Sequence, residues 1–132
     1  MTESSEKLYF LNQLYRDFIL PDILGSDTAE ILYWSGKHVS RKYDLASEDD
    51  LEQFFDMAGF GELKLTKESR REMSWLLTGQ NLRDRIASGA KEFSLESGII
   101  AQAAQNQQER EAEAAAVIGK KGANVQFTAR FD

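Results

Sequence analysis

The last seven residues before Asp132 constrain the fold most. Val125, Phe127, Ala129 and Phe131 alternate strictly with Gln126, Thr128 and Arg130. Side chains of a strand point to opposite faces in turn, so this pattern predicts a half-buried strand. A single strand leaves its backbone donors and acceptors unpaired, so the chain must supply partners elsewhere. Upstream, Ala112, Ala114, Ala116 and Ile118 also alternate with Glu111 and Glu113, and Gly119-Lys120-Lys121-Gly122 is good turn chemistry. A closing hairpin is the consistent reading. The competing reading rests on propensity: Glu109 to Ile118 is rich in Ala and Glu and would prolong the preceding helix.

That helix is predicted over Ser94 to Gln108, where Leu95, Ile99, Ile100 and Ala103 recur at helical spacing, Ser94 is placed to cap and Ser97-Gly98 offers a close-packing spot. The first half of the chain reads as three more helices. Leu8, Leu11, Tyr15, Phe18 and Ile19 form an amphipathic stripe, with Pro21 expected to end the helix. Residues 1–7 are expected to be a flexible tail. Asp27-x-x-Glu30 reads as a capping box opening a helix that runs to about Tyr43, in which Gly36 lets another backbone approach. Ser47-x-x-Asp50 opens the third, with Leu51, Phe54, Phe55 and Ala58 buried and Gly59 as the stop. After Gly59, Phe60, Leu63 and Leu65, then Met73, Trp75 and Leu77, fit two short antiparallel strands. Residues 79–89 read as a short helix or an irregular connection.

The fold class is therefore α+β in a single domain, 1–132: a four-stranded antiparallel sheet packed against helices. At 132 residues the chain is long enough to close one core unaided.

Composition restricts function. The net charge of -6 opposes binding to phosphate backbones, so nucleic acid is not an expected partner. Arg70 and Arg71, with Lys64 and Lys67, are the concentrated positive charge and read as a solvated strand edge. Without cysteine there is no disulfide, thiolate metal site or thiol nucleophile. No apolar run approaches the ~20 residues of a membrane span, and residues 1–7 are polar, so a cytoplasmic location is expected.

Catalytic chemistry finds no footing. The single histidine, His38, has Trp34, Ser35, Arg41 and Lys42 as helical neighbours, none of them a carboxylate to orient it. A haem or small-molecule enzyme built on His38 is the alternative reading. Glu48, Asp49, Asp50 and Glu52 cluster where a helix start favours negative charge, and Asp44 to Glu52 lacks the glycine of a calcium loop. Gly59-Phe60-Gly61 lacks the lysine of a phosphate loop, and Ser88 sits in no nucleophile elbow. No catalytic residue, metal site or cofactor is assigned. Tyr33, Trp34, Trp75 and Phe93 exceed what a minimal core needs, and are the candidates for an apolar ligand pocket or a dimer face.

Leu32-Tyr33-Trp34-Ser35-Gly36-Lys37, then Phe54-Phe55 with Gly59-Phe60-Gly61-Glu62-Leu63, then Phe93-x-Leu95-Glu96-x-Gly98 with Ala101-Gln102 resemble the YslB family of Gram-positive bacteria. The order of elements looks like the 4-vinyl reductase-type small-molecule-binding domain shared with TRAPP transport subunits. The resemblance spans about Leu8 to Phe131. It implies the four-stranded sheet and favours the closing hairpin over the long helix. The wider superfamily binds hydrocarbons, acyl groups or haem in a helix-sheet cleft. Its cysteines are absent here, so metal and covalent lipid do not carry over. The expectation is a non-catalytic binding or scaffold domain, a homodimer, holding a small apolar ligand or a protein partner. The rivals are the His38 enzyme and a purely structural partner in a complex.

Overall fold

The computed structural model describes residues 3–132. Four strands, β1 (Glu62–Glu68), β2 (Glu72–Thr78), β3 (Ala112–Ile118) and β4 (Val125–Phe131), form one antiparallel sheet in the order β1-β2-β4-β3. The closing hairpin is present, with Ala114 opposite Ala129 and Ala116 opposite Phe127. The preceding helix, α6 (Ser94–Gln108), stops because Glu109 turns into the left-handed region at φ 56°, a conformation no helix continues through.

Alternation sorts the sheet into two faces. Met73, Trp75, Leu77, Val125, Phe127 and Ala129 point inward and are at most 1% exposed, whereas Gln126 and Arg130 are exposed on the other side. The helices α3 (Thr28–Lys42), α4 (Glu48–Met57) and α5 (Gln80–Ala87) accompany α6. Helix α6 lies on β3 and β4, α4 packs on β1 and α5 on β2, while α3 covers the far side of α6. Buried between sheet and α3, α6 has every residue from Glu96 to Ala104 out of solvent, as expected of a helix enclosed on all sides.

Glycine sets the α3–α6 distance. A Cβ on Gly98 would overlap the carbonyl oxygen of Tyr33, and one on Gly36 would overlap that of Leu95. The expected close approach at Gly36 and at Ser97-Gly98 is one and the same crossing.

The capping expectations divide. Ser47 Oγ accepts from the Asp50 amide at 3.1 Å. Asp27 makes no side-chain cap, because a 3-10 turn over Gly25–Asp27 already winds into α3 and its carbonyls serve the first amides. Ser94 does not cap either: its own amide donates to Glu92 Oε1 at 2.7 Å.

The N-terminal segment differs most from expectation. Helix α1 (Glu3–Asn12) begins within the stretch read as a tail, while Met1 and Thr2 lie outside the described residues. It passes into a π-helical stretch over Gln13–Ile19 and on into α2 (Leu20–Leu24), so Pro21 does not end it. In the wide turn the Leu20 amide reaches back to Tyr15 O. Such widening makes room for a ring that has no amide to offer. The stop comes at Gly25, φ 61°.

Candidate functional site

The orientation of this N-terminal arm is the second departure. An amphipathic helix ordinarily turns its apolar stripe to the core, yet Leu8, Leu11, Tyr15 and Phe18 are 43%, 47%, 55% and 63% exposed, joined by Phe10 at 63% and Ile23 at 71%. What faces inward instead is Arg16, at 6%.

Arg16 enters a buried charge cluster. Its Nη2 donates to Glu96 Oε1 at 2.8 Å and its Nη1 to Oε2 at 3.0 Å. Arg85, on α5, donates to Glu96 Oε2 at 3.2 Å and through Nη2 and Nε to both oxygens of Asp17, at 2.8 and 3.0 Å. Glu96 is fully buried and Arg85 is 2% exposed. Arg85 lies over the Phe93 ring at 4.8 Å and Arg16 over Phe60 at 5.5 Å. Burial alone would drive the Glu96 carboxyl toward its neutral form, and the two guanidinium groups overcome that and hold it below the usual carboxylate range. For Arg85 burial likewise works against the charge, and Asp17 and Glu96 more than restore it. The cluster clasps the arm to α5 and α6. Sequence reading missed it because alternating charges on a helix normally mark the wet side. Glu96 stands three, four and seven places from Ile99, Ile100 and Ala103, which puts it on their apolar face and is the signal that was available.

The four aromatic candidates go to three different places. Tyr33 and Phe93 meet in an open groove of about 260 Å³ between α3, the start of α6 and the β3 edge, lined also by Lys91, Ser94, Ser97 and Ala116. There Tyr33 Oη donates to Glu113 Oε2 and accepts from the Ala114 amide at 3.0 Å. That bond, seconded by Lys37 at 3.2 Å, keeps Glu113 below the ordinary carboxylate range. Burial, then Glu113, pushes the Tyr33 phenol well up, so it is a donor at every physiological pH. Trp75 lines no pocket: alternation along β2 puts it on the inner face at 0% exposure, with its indole Nε1 on Glu48 at 3.0 Å. Trp34 lies on the outer face of α3, 54% exposed, beneath Lys37 Nζ at 5.6 Å. His38 is exposed on the same helix, away from the buried partners a catalytic or haem-bound imidazole would require.

The space where a helix-sheet cleft was expected is filled. Trp75, Phe127, Ile99, Ile100, Leu63 and Phe55 are 0–1% exposed and belong to one continuous core.

The model of the family described as "Protein of unknown function (DUF2507)" matches residues 9–130. The chain belongs to the DUF2507 family. A relative in Bacillus subtilis (strain 168), the uncharacterized protein YslB, is 33% identical over 121 residues, which are 91% of this chain and 82% of that protein. The DUF2507 fold itself is shared more widely. A vinyl-4-reductase family protein from Methanocaldococcus jannaschii superposes with a TM-score of 0.65 at 17% identity, covering 94% of this chain and 80% of that one. The phenol-responsive sensory domain of the transcription activator PoxR, crystallised with phenol, gives 0.65 at 13% identity over 94% and 74%. These two likenesses establish the fold: an antiparallel sheet and helices of the vinyl-4-reductase type. Among the described residues no helix is long and apolar enough to cross a membrane.

Proposed function

We propose that this chain is a non-catalytic protein-interaction domain that pairs with a second copy of itself through the apolar stripe of the N-terminal arm. The observation that carries the reading is an amphipathic helix turned inside out. Its charged side is locked into the body by Arg16 and Asp17, and its apolar side is left facing solvent. With Ile31 and Trp34 of α3 exposed as well, the apolar area on offer is on the order of 700 Å², at ~150–250 Å² for a whole aromatic side chain. A stable interface takes ~800 Å² per partner, and exposed apolar patches beyond a few hundred Å² mark interaction sites. Net charge keeps such copies from unspecific association while the stripe selects a register.

The test is a Phe10→Ser/Phe18→Ser double variant. Both positions are well over half exposed, so the monomer keeps its core. The expected result is a halved mass by size exclusion with light scattering and an unchanged circular dichroism spectrum. A double variant that stays dimeric contradicts the arm as the interface.

A second reading is favoured by one specific feature, the groove at Tyr33 and Phe93. It offers an apolar ring, a phenol oxygen fixed by Glu113 and the Ala114 amide with one lone pair left to accept a ligand hydroxyl, and two serines in about 260 Å³, room enough for a small aromatic alcohol. A phenol-bound sensory domain of the same fold gives that reading its support. Nuclear magnetic resonance titration with phenol is its test: saturable shifts confined to Tyr33, Phe93 and Ala114 to Ala116 support it, and their absence removes it.

A further inference from the structure

Five of the chain's sixteen basic residues converge on one end of the sheet. Lys67, Arg70, Arg71, Arg110 and Arg130 line an open cleft of about 900 Å³, together with Ser69, Glu72, Phe131 and Asp132. In an acidic chain this is an electrostatic outlier, and its internal pairing does not neutralise it. Glu72 takes Lys67 at 2.7 Å and Arg130 at 3.4 Å. Asp132 is the other carboxylate of the lining. Arg70, Arg71 and Arg110 make no ion pair among the described residues.

The cleft is built rather than incidental. Arg110 donates to the carbonyls of Arg70 at 2.6 Å and Asp132 at 2.7 Å and lies over the Phe131 ring at 5.1 Å. It thus fixes the β1–β2 turn to the end of β4. The turn itself is closed by the Ser69 amide on Glu72 O at 2.8 Å, with the Glu72 amide donating to Ser69 Oγ at 3.2 Å. Arg70 and Arg71 are the two central residues of that turn, held side by side and exposed. Holding like charges together costs stability, and the cost is recovered when a multivalent anion binds.

We infer that this cleft is a binding site for a phosphorylated small molecule, gripped by the Arg70 and Arg71 guanidinium groups. Planar guanidinium forks match phosphate oxygens two at a time. The cleft volume falls within the ~300–1,000 Å³ of small-ligand sites, and the acidic remainder of the chain repels long phosphate polymers. The site is separate from the arm and from the Tyr33 groove, so the inference stands independently of both.

The probe is inorganic pyrophosphate, titrated calorimetrically at about 0.15 M ionic strength. The comparison proteins are the Arg70→Ala/Arg71→Ala double variant and Arg83→Ala, which removes an exposed arginine outside the cleft. Saturable binding of the unaltered chain, weakened about tenfold or more by the double variant and unchanged by Arg83→Ala, is the expected result, since each charge-assisted bond contributes about a factor of ten. A melting curve of the double variant confirms that the turn, not the fold, is affected. Absence of saturation up to about 10 mM, or equal weakening by Arg83→Ala, overturns the site. Binding of a polyglutamate peptide without binding of pyrophosphate overturns the ligand class and makes the cleft a dock for an acidic protein segment.

Discussion

Both carboxyl oxygens of Glu48 accept from the indole Nε1 of Trp75, at 3.1 and 3.0 Å. The carboxyl is half-buried at the start of α4. Desolvation, followed by the neighbouring Glu52 carboxyl, raises its pKa from 4.5 to about 7 against the opposing pull of the indole. Between those two values the folded chain holds a proton that the unfolded chain has released. The stabilisation is therefore complete below about pH 4.5 and is lost as pH rises through 7.

Two results follow for this pair. In a Trp34→Phe variant, where Trp75 is the remaining indole, fluorescence should titrate with a midpoint near 7, and Glu48→Gln should abolish that titration. Glu48→Gln should also flatten the decline in urea stability between pH 5 and 8. After solvent screening of a half-exposed group the decline is on the order of 1 kcal/mol.

The clasp on the arm makes a larger prediction. Glu96→Gln leaves Arg16 and Arg85 buried without their shared counter-charge, and removal of one partner from a buried ion pair costs about 3–5 kcal/mol. Equilibrium urea unfolding should show that loss. It should also reveal a pH dependence opposite to that of Glu48: the folded-state pKa of Glu96 is lowered, so its stabilisation is present above the unfolded value and disappears as pH falls through the folded one.

At the helix crossing, Gly98→Ala places a methyl group on the Tyr33 carbonyl and 3.2 Å from the Gly36 Cα. Overpacking of this kind costs about 1–3 kcal/mol or more. A thermal melt should fall by several degrees for Gly36→Ala and for Gly98→Ala. The double variant should lose less than the sum, because the first methyl has already parted the helices.

The sheet was legible because period-two alternation in β2 and β4 is a direct imprint of one wet and one dry face. The end of α6 at Gln108 was legible only through the strand that follows it: Glu109 adopts its left-handed turn without a glycine and the alanines after it serve helix and strand equally well, so the need of β4 for a partner, not local propensity, marked the boundary. The arm shows the limit of periodicity more clearly. Leu11, Tyr15 and Phe18 correctly announce an amphipathic helix, but spacing states only that an apolar face exists, not whose core receives it. Pro21 misled for a local reason, since a π-helical turn five residues wide absorbs what a standard helix would not. Of the four aromatics singled out, Trp75 was needed by the core and Trp34 was not. Both are tryptophans on amphipathic elements, and only the third dimension, with Glu48 waiting over β2, separates them.

The central claim, that the outward stripe of the arm is covered by a second copy, is tested most directly by sedimentation equilibrium of the unaltered chain over a range of concentrations. A mass twice the 15.0 kDa of the chain, persisting to micromolar dilution, is the predicted result. A mass of one chain at every concentration contradicts it.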